Sequence, residues 1–441
     1  MGGIPSLTIT MPAKLKPQRD DQPDLFALPA PISSIDPAIP RPASLTEELT
    51  AFCEFGEKTI VQELTIPGCP PVPVFVNEFW TAGQRQAHTL HEVSYRACFK
   101  PQLPRFFIQR LTQPGEVVYD PFMGRGTTLI EAALLGRVPW GCDINPLSPI
   151  LVRPRLHPPS NEELAAHIAA LPLDLNVESR DDLSVFYHPD VLRAVSSMRH
   201  YFHEPQRDLT DGWLRMVATN RLTGHSPGFF SVYSLPPNQA VSVKSQLRIN
   251  EKRDQTPPPR DVRAILLKKS RQLLKDLTPF ERATLATVSP NAKLLTGSCD
   301  ATPQLPDNSI SLAVTSPPFL NEVQYDLDNW LRCWFNHIDT KTIALWQIKK
   351  PAQWQEKMTG VFRELGRILK PGGHVAFEVG EVRGGSVKLE ELVIPAAVAA
   401  GLDPVLIMIN AQEFTKTSNC WGINNQEDGT NTNRIVLLRK G

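Results

Sequence analysis

One segment, residues 115–143, constrains the fold of this chain more than any other part of the sequence. It starts with the short apolar run Val117 to Tyr119 and passes through the glycine-rich stretch Asp120-Pro-Phe-Met-Gly-Arg-Gly-Thr-Thr128. An apolar helical pattern follows, and a second apolar run from Val138 ends in Asp143. Strand, glycine loop, helix, strand and acid in this order are typical of a nucleotide-binding βαβ unit. The segment predicts a parallel sheet with a ligand-binding loop at its carboxyl edge.

Strand and helix patterns alternate again after residue 291. Predicted strands cover 310–315, 374–379, 405–409 and 434–439, and predicted helices cover 326–335, 354–369 and 389–401. We therefore expect an α/β fold whose Rossmann-like sheet is built from residues 46–158 and 291–441.

Residues 159–290 differ from both flanking parts and are predicted to be an insertion of loops and helices, with helical patterns at 162–171, 183–202 and 263–277. Between Lys244 and Asp276 there are ten Lys or Arg against four Asp or Glu. Two interpretations stay open: a solvated helix face, or a surface that contacts phosphates, with Lys268 and Lys269 as candidate contacts. Asn220 to His225 and the pair Asn238-Gln239 are candidate readers of base edges.

The first 45 residues are rich in Pro, Asp and Ser, have no sustained period, and are predicted to be a disordered tail. The whole chain has 46 Lys or Arg and 46 Asp or Glu, which excludes a globally basic nucleic-acid-binding protein but not a local basic face. No apolar run is long enough for a membrane span. Its seven cysteines form no C-x-x-C pair, so we expect reduced thiols in a cytoplasmic protein without a zinc site.

The glycine loop is not a triphosphate-binding loop, because it lacks the G-K-[ST] ending. Instead, Asp143 at the end of the next strand is placed to bind ribose hydroxyls, as in the dinucleotide-binding pattern.

A second motif, Thr315-Ser-Pro-Pro-Phe319, directly follows the buried strand 310–315. Its two prolines end the strand and remove two N–H donors. The Ser316 hydroxyl and the Pro317 carbonyl are then free to face the crevice at the carboxyl ends of the strands, where ligands of open α/β sheets bind. With the aromatic ring of Phe319 beside them, they suit a planar base that carries an exocyclic amine.

These residues resemble the S-adenosylmethionine-dependent DNA amino-methyltransferases. The stretch from Asp120 to Thr128 is similar to the family's cofactor motif D-P-F-x-G-x-G-T-T, and Thr315 to Phe319 to its catalytic motif [DNS]-P-P-[YFW]. His91 to Ile108 resembles the segment that closes over the methionine end of the cofactor. Gly297 to Ala301 resembles the acidic turn beside its adenine.

The resemblance implies a Rossmann-like methyltransferase sheet, S-adenosyl-L-methionine as cofactor, duplex DNA as substrate, no metal, and a cognate restriction endonuclease as a partner. The implied catalytic residues are Ser316, Pro317, Pro318 and Phe319. The implied cofactor-binding residues are Asp120, Phe122, Gly124, Gly126, Thr127, Asp143, Asp300, Lys100 and Pro101. In the predicted strand 374–379, Glu378 has a register that could face the cofactor.

Ser in the catalytic motif is associated in this family mainly with cytosine N4 as acceptor, so we expect N4-cytosine methylation. Adenine-N6 and RNA guanine-N2 methylation use a related motif and stay open, as does a non-catalytic nucleic-acid-binding module. Cytosine-C5 methylation is excluded, because its nucleophile is a Cys after Pro and the chain has no Pro-Cys pair.

Overall fold

The structure, a computed structural model, describes residues 44–80, 87–96, 98–204, 207–235, 240–320, 325–346, 348–382, 387–411 and 432–441. The predicted disordered tail lies outside these ranges, apart from Ser44 and Leu45. Residues 44–441 form one compact unit.

Nine of the described strands form one sheet, in the order β1-β2-β10-β11-β7-β6-β3-β4-β5. The neighbours from β7 to β5 are all parallel, whereas β11 runs antiparallel to both β7 and β10. The strands are β1 Ile60–Leu64, β2 Val72–Asn77, β3 Val117–Asp120, β4 Val138–Asp143, β5 Lys293–Thr296, β6 Ile310–Thr315, β7 Leu369–Val379, β10 Leu402–Ala411 and β11 Thr432–Lys440, and a separate hairpin is formed by β8 Glu381–Val382 and β9 Val387–Lys388.

Thirteen α-helices occur in the described residues, and most of those in the second half agree with the sequence prediction. They are α1 Leu45–Ala51, α2 Gln102–Leu111, α3 Thr127–Leu134, α4 Leu147–Leu156, α5 Asn161–Ala170, α6 Pro189–Tyr201, α7 Leu209–Arg221, α8 Val243–Arg253, α9 Val262–Leu273, α10 Pro279–Val288, α11 Tyr325–Phe335, α12 Pro351–Ile368 and α13 Glu390–Ala399. Helices α4, α7, α8 and α10 were not predicted. Thr278 and Glu281 form a capping box at the start of α10, a signal that the sequence did contain.

Side chains alternate between the two faces of the sheet, as the twofold period of a strand requires. Val118, Leu312 and Val314 pack against α2, while Ala313 and Phe377 pack on the opposite face. A third cluster joins the helices of the insertion to α3 and α4. The insertion thus packs on α3 and α4 through a continuous apolar interior, and its boundaries at 158 and 290 stay a prediction.

Two details of the prediction are corrected. The strand expected from His374 begins at Leu369, because Leu369 already pairs with Ile310 of β6, and an irregular stretch separates this pair from the pair of His374 with Leu312. The helix expected from Leu183 to Phe202 is interrupted before Pro189, where α6 begins. Among the described residues, no helix has the length and apolar character of a membrane span.

Candidate active site

The strand order reverses between β3 and β6. From β3 the chain adds β4 and β5 on one side, and it then returns to place β6 on the other side. In open α/β sheets such a reversal leaves a crevice at the carboxyl ends of the strands, where ligands bind. Asp120, Asp143 and Ser316 stand at the carboxyl ends of β3, β4 and β6, so the sheet brings all three predicted residues to this crevice.

The glycine loop turns sharply between β3 and α3. Gly124 and Gly126 have φ values of 48° and 80°, in the left-handed region that favours glycine. A Cβ on Gly126 would also lie 2.4 Å from a methyl carbon of Val152, so the loop can pack on α4 only with glycine there. Thr127 is buried as the first residue of α3, and Arg125 Nε donates to its hydroxyl over 3.2 Å.

Asp120 ties the end of β3 to the end of β6. Its carboxyl group is buried and accepts hydrogen bonds from the Thr315 hydroxyl at 2.6 Å and the Phe122 backbone N–H at 3.0 Å. Burial raises the pKa of Asp120 to about 7, although both hydrogen bonds favour the ionised form. The cofactor loop and the catalytic motif are therefore held in a fixed relation.

Asp143 lies directly beneath the glycine loop. Its Oδ2 accepts from the Gly124 N–H at 2.7 Å, and its Oδ1 accepts from the Asn145 N–H at 2.8 Å. Burial raises the pKa of Asp143 against these bonds. The carboxylate thus has a structural task in shaping the loop, and its contact with ribose stays a prediction.

The acidic turn at Asp300 lies near the other cofactor residues through contacts that the sequence did not indicate. Asp300 Oδ2 accepts from Lys357 Nζ at 2.6 Å, and that ammonium group lies 4.4 Å from the ring centre of Trp346. The Trp346 ring in turn packs edge-on against Phe122 at 5.9 Å. Burial opposes ionisation of Asp300, but the Lys357 and Ser298 hydrogen bonds outweigh it and lower its pKa. Phe122 and Asp300 thereby join one wall of the crevice.

The segment before α2 covers the glycine loop. Arg125 donates to the carbonyl oxygens of His91 and Val93, at 3.2 and 3.0 Å. The fully buried Arg155 donates to the carbonyl oxygens of Leu90 and Arg125. These bonds fix residues 90–93 over the loop, as the resemblance implies for the closing segment.

The two predicted residues at the end of this segment lie at the start of α2. Lys100 is half-buried, and burial lowers the pKa of its ammonium group. Pro101 is buried and stands at the N-cap position of the helix. Their contact with the cofactor stays a prediction.

The catalytic motif follows a fully buried strand, and a hydrogen bond from helix α12 supports it. The indole N–H of Trp354, on α12, donates to the Pro318 carbonyl at 3.0 Å. Pro317 is buried, and Phe319 is partly buried against the apolar face of the sheet. Because Pro318 already has a partner, Trp354 orients the turn in which the neighbouring Pro317 carbonyl lies.

A buried carboxyl group adjoins Ser316. Glu378 stands near the end of β7, and its carboxyl accepts hydrogen bonds from the Ser316 hydroxyl and the Asn433 amide. Burial raises the pKa of Glu378 to about 7, against both bonds. The sequence indicated only that Glu378 could face the cofactor; its contact with Ser316 follows from the pairing of β6 with β7.

Comparison with known proteins agrees with this site. The family model of the N6/N4 methyltransferases, described as DNA methylase, matches residues 63–147, which include the glycine loop and Asp143. The type II methyltransferase M.MvaI of Kocuria varians is 33% identical over 124 residues, 27% of this chain and 25% of that protein. M.MjaII of Methanocaldococcus jannaschii is 35% identical over 72 residues, 16% and 13% of the two chains. M.BsoBI of Geobacillus stearothermophilus is 22% identical over 277 residues, 57% and 53%.

Residues 63–147, which carry the glycine loop, thus match the DNA methylase family, and aligned parts of the chain are similar to type II methyltransferases. Its aligned parts span between 13% and 53% of these relatives' own lengths. The family model ends before the catalytic motif, so the roles of Ser316 to Phe319 rest on the motif and the geometry of the crevice.

The structure changes the interpretation of two residues that were predicted to contact nucleic acid. Lys269, predicted to contact phosphate together with Lys268, is buried, and its Nζ lies 3.4 Å from Glu92 Oε2. Asn220 is buried as well, and its amide donates to the Met216 carbonyl, so it is not placed to read a base in this conformation. Asn238 and Gln239 lie outside the described residues.

Proposed function

We propose that this protein transfers a methyl group from S-adenosylmethionine to the exocyclic N4 amine of cytosine in duplex DNA. The observation that carries the proposal is the position of Ser316. Its hydroxyl follows β6 at the switch point of the sheet, in the same crevice as the glycine loop, and it hydrogen-bonds to Glu378. A hydroxyl and a carboxyl group paired in this way beside a cofactor loop suit a methyl-accepting amine that must lose a proton.

The residues of the crevice fit the proposed cofactor. Asp143 and Asp300 supply carboxylates for ribose and base hydroxyl or amine groups, and Phe122 with Trp346 supplies flat apolar surface. A Cβ on Gly297, beside the acidic turn, would meet no atom within 4 Å, so this edge has room for a ligand. When bound, S-adenosylmethionine supplies a sulfonium methyl group that an amine can attack in line, with the bonding electrons staying on sulfur.

The chain's own residues prepare the amine. The Ser316 hydroxyl and the Pro317 carbonyl accept its hydrogen bonds, which draws the nitrogen lone pair out of conjugation with the ring. The proton that the nitrogen loses passes to Ser316, whose own proton passes to Glu378. With its pKa near 7, Glu378 is poised to accept this proton near neutral pH. Phe319 stacks on the base after it leaves the duplex.

Serine in the motif favours cytosine over adenine in this proposal. Adenine-N6 methylation is the alternative within the class, because the same acceptors suit either amine. RNA guanine-N2 methylation and non-catalytic nucleic-acid binding are the further alternatives.

Mass spectrometry of nucleosides from duplex DNA that has been incubated with the protein and methyl-labelled S-adenosylmethionine tests the proposal. We expect label in N4-methylcytosine. Label in N6-methyladenine alone would replace the proposed base, and label found only in RNA guanine would replace the substrate. Calorimetric binding of S-adenosylhomocysteine without any methylated nucleoside would favour the non-catalytic alternative.

A further inference from the structure

The exposed face of α8 carries an unneutralised basic stripe. Lys244, Arg248 and Lys252 recur every four residues, so they lie along one side of the helix over about 12 Å. All three are exposed, and none of them forms an ion pair or hydrogen bond with another residue that the structure describes. Glu251 is the one acidic side chain within this face.

The opposite face of α8 is fixed to the protein. Gln246 and Asn250 are buried there, and their amides donate to the carbonyl oxygens of Tyr233 at 3.0 Å and Val185 at 2.7 Å. The orientation of the helix is therefore set by buried hydrogen bonds, and the basic stripe must face outward.

Other basic residues of the insertion are used internally. Arg199 donates to the Trp334 carbonyl, Arg215 to Asn336, and Arg263 to the carbonyls of Ile168 and Leu171. Their charged groups donate hydrogen bonds within the protein, whereas those of the α8 stripe form none with the residues that the structure describes.

The start of α8 is also tied to the element that follows the catalytic motif. Two residues before the helix cap, the Ala240 N–H donates to the Asp328 carbonyl, and Trp330 Nε1 donates to the Ala240 carbonyl at 3.2 Å. Both Asp328 and Trp330 belong to α11, which begins six residues after Phe319. The Asp328 side chain in turn binds Arg96 of the segment that covers the cofactor loop. Hydrogen bonds thus connect the start of α8 with the helix that follows the catalytic motif and with the segment that covers the cofactor loop.

We propose that Lys244, Arg248 and Lys252 contact the phosphate backbone of the duplex whose base enters the crevice. This proposal rests on the proposed function, and it names the surface that the substrate occupies. A stripe of about 12 Å matches the axial length of three to four base pairs, so three phosphate contacts fit along it. Leu247, 48% exposed beside the stripe, gives an apolar edge to face the sugars.

The salt dependence of binding to a labelled duplex, with S-adenosylhomocysteine present, tests this surface. The variant K244Q/R248Q/K252Q should lower the slope of log binding constant against log salt by up to about 2.7, or about 0.9 for each lost phosphate contact. Its kcat at saturating DNA should stay at the parent value while KM for DNA rises. The matched control K268Q/R271Q/K275Q removes three exposed charges of α9 and its following turn, and it should leave the slope unchanged.

Equal slopes for the α8 variant and the parent would overturn the proposed surface while leaving the function intact, as would a loss of slope in the control alone. A parent protein that binds no duplex in a salt-dependent way would overturn the proposed function, and the surface with it. S-adenosylhomocysteine affinity equal to that of the parent shows that the variants are folded.

Discussion

At the residue scale, the hydroxyl of Ser316 and the carboxyl of Glu378 act as a pair whose state depends on pH. Glu378 is buried, and its pKa is raised from an ordinary 4.5 to about 7. Only the ionised carboxyl can receive a proton through Ser316. Methyl transfer should therefore speed up as the pH rises through about 7.

We predict that Glu378→Gln removes this pH dependence and lowers kcat by roughly a hundredfold to ten-thousandfold, the range for a lost proton acceptor. The amide keeps the size of the side chain and the hydrogen bond to Ser316. Single-turnover rates between pH 5.5 and 8.5 measure the effect, and a variant that keeps the parent's inflection near 7 would contradict the assignment.

The same substitution has a defined sign for stability. Because the folded-state pKa of Glu378 is raised, the protonated carboxyl stabilises the fold below its unfolded pKa, and this contribution is lost as the pH rises through about 7. The free energy of unfolding of Glu378→Gln, relative to that of the parent, should therefore be higher at pH 8 than at pH 5. Urea unfolding at the two pH values checks the sign.

Ser316→Ala is predicted to lower the methylation rate by roughly two to four decades, comparable to the loss of a positioned catalytic group. Affinity for S-adenosylhomocysteine should stay near the parent value, because in the proposed mechanism Ser316 accepts from the target amine and other residues hold the cofactor. A methyl group trapped on Ser316 would show that transfer is not direct.

At the element scale, α12 holds both ends of the crevice. Trp354 supports the Pro318 carbonyl, and Lys357, three residues later on the same helix, binds Asp300. One helix face therefore positions the catalytic turn and the acidic turn together.

We predict that Trp354→Phe, which keeps most of the buried ring but removes the indole N–H, lowers kcat by about threefold to tenfold. The loss corresponds to about 0.5–1.5 kcal/mol for one hydrogen bond. Cofactor affinity should change little. Trp213→Phe is the matched control, because Trp213 is equally buried and its N–H donates to Ser270 within the insertion, away from the crevice. An equal fall of kcat in both variants would mean that general destabilisation, and not the turn, is responsible.

At the scale of the whole molecule, the insertion and the cofactor unit share one apolar interior. Leu266 of α9, fully buried, belongs to the same cluster as Met123 of the glycine loop and Leu129 of α3. The part of the chain that carries the α8 stripe should therefore unfold together with the sheet.

Leu266→Ala is predicted to lower the free energy of unfolding by about 2–5 kcal/mol in a single transition. S-adenosylhomocysteine should raise the midpoint of that same transition, since a ligand of the native state stabilises everything that unfolds with it. Circular dichroism and tryptophan fluorescence followed in parallel measure it. Two transitions, of which only one responds to the ligand, would show that the insertion is an independent domain.

The sequence by itself determined the features that depend on local chemistry. The glycine loop between β3 and α3, the strand before Ser316 and the closing strand pair follow from periodicity and turn residues a few positions apart. Helix α8 was missed because it contains few apolar residues. Helix α7 has apolar residues at helical spacing, Leu209, Trp213, Met216 and Val217, which the prediction overlooked.

Only the tertiary structure decided which distant groups meet. Glu378 reaches Ser316 because β7 pairs with β6, and Trp354 reaches Pro318 because α12 packs on the sheet beneath the turn. Lys268 and Lys269 are adjacent in sequence, yet the first is exposed and the second buried, since only one of them faces the cluster around α9. A single sequence contains the charges and the period of each helix, but which face is covered depends on the elements that pack against it.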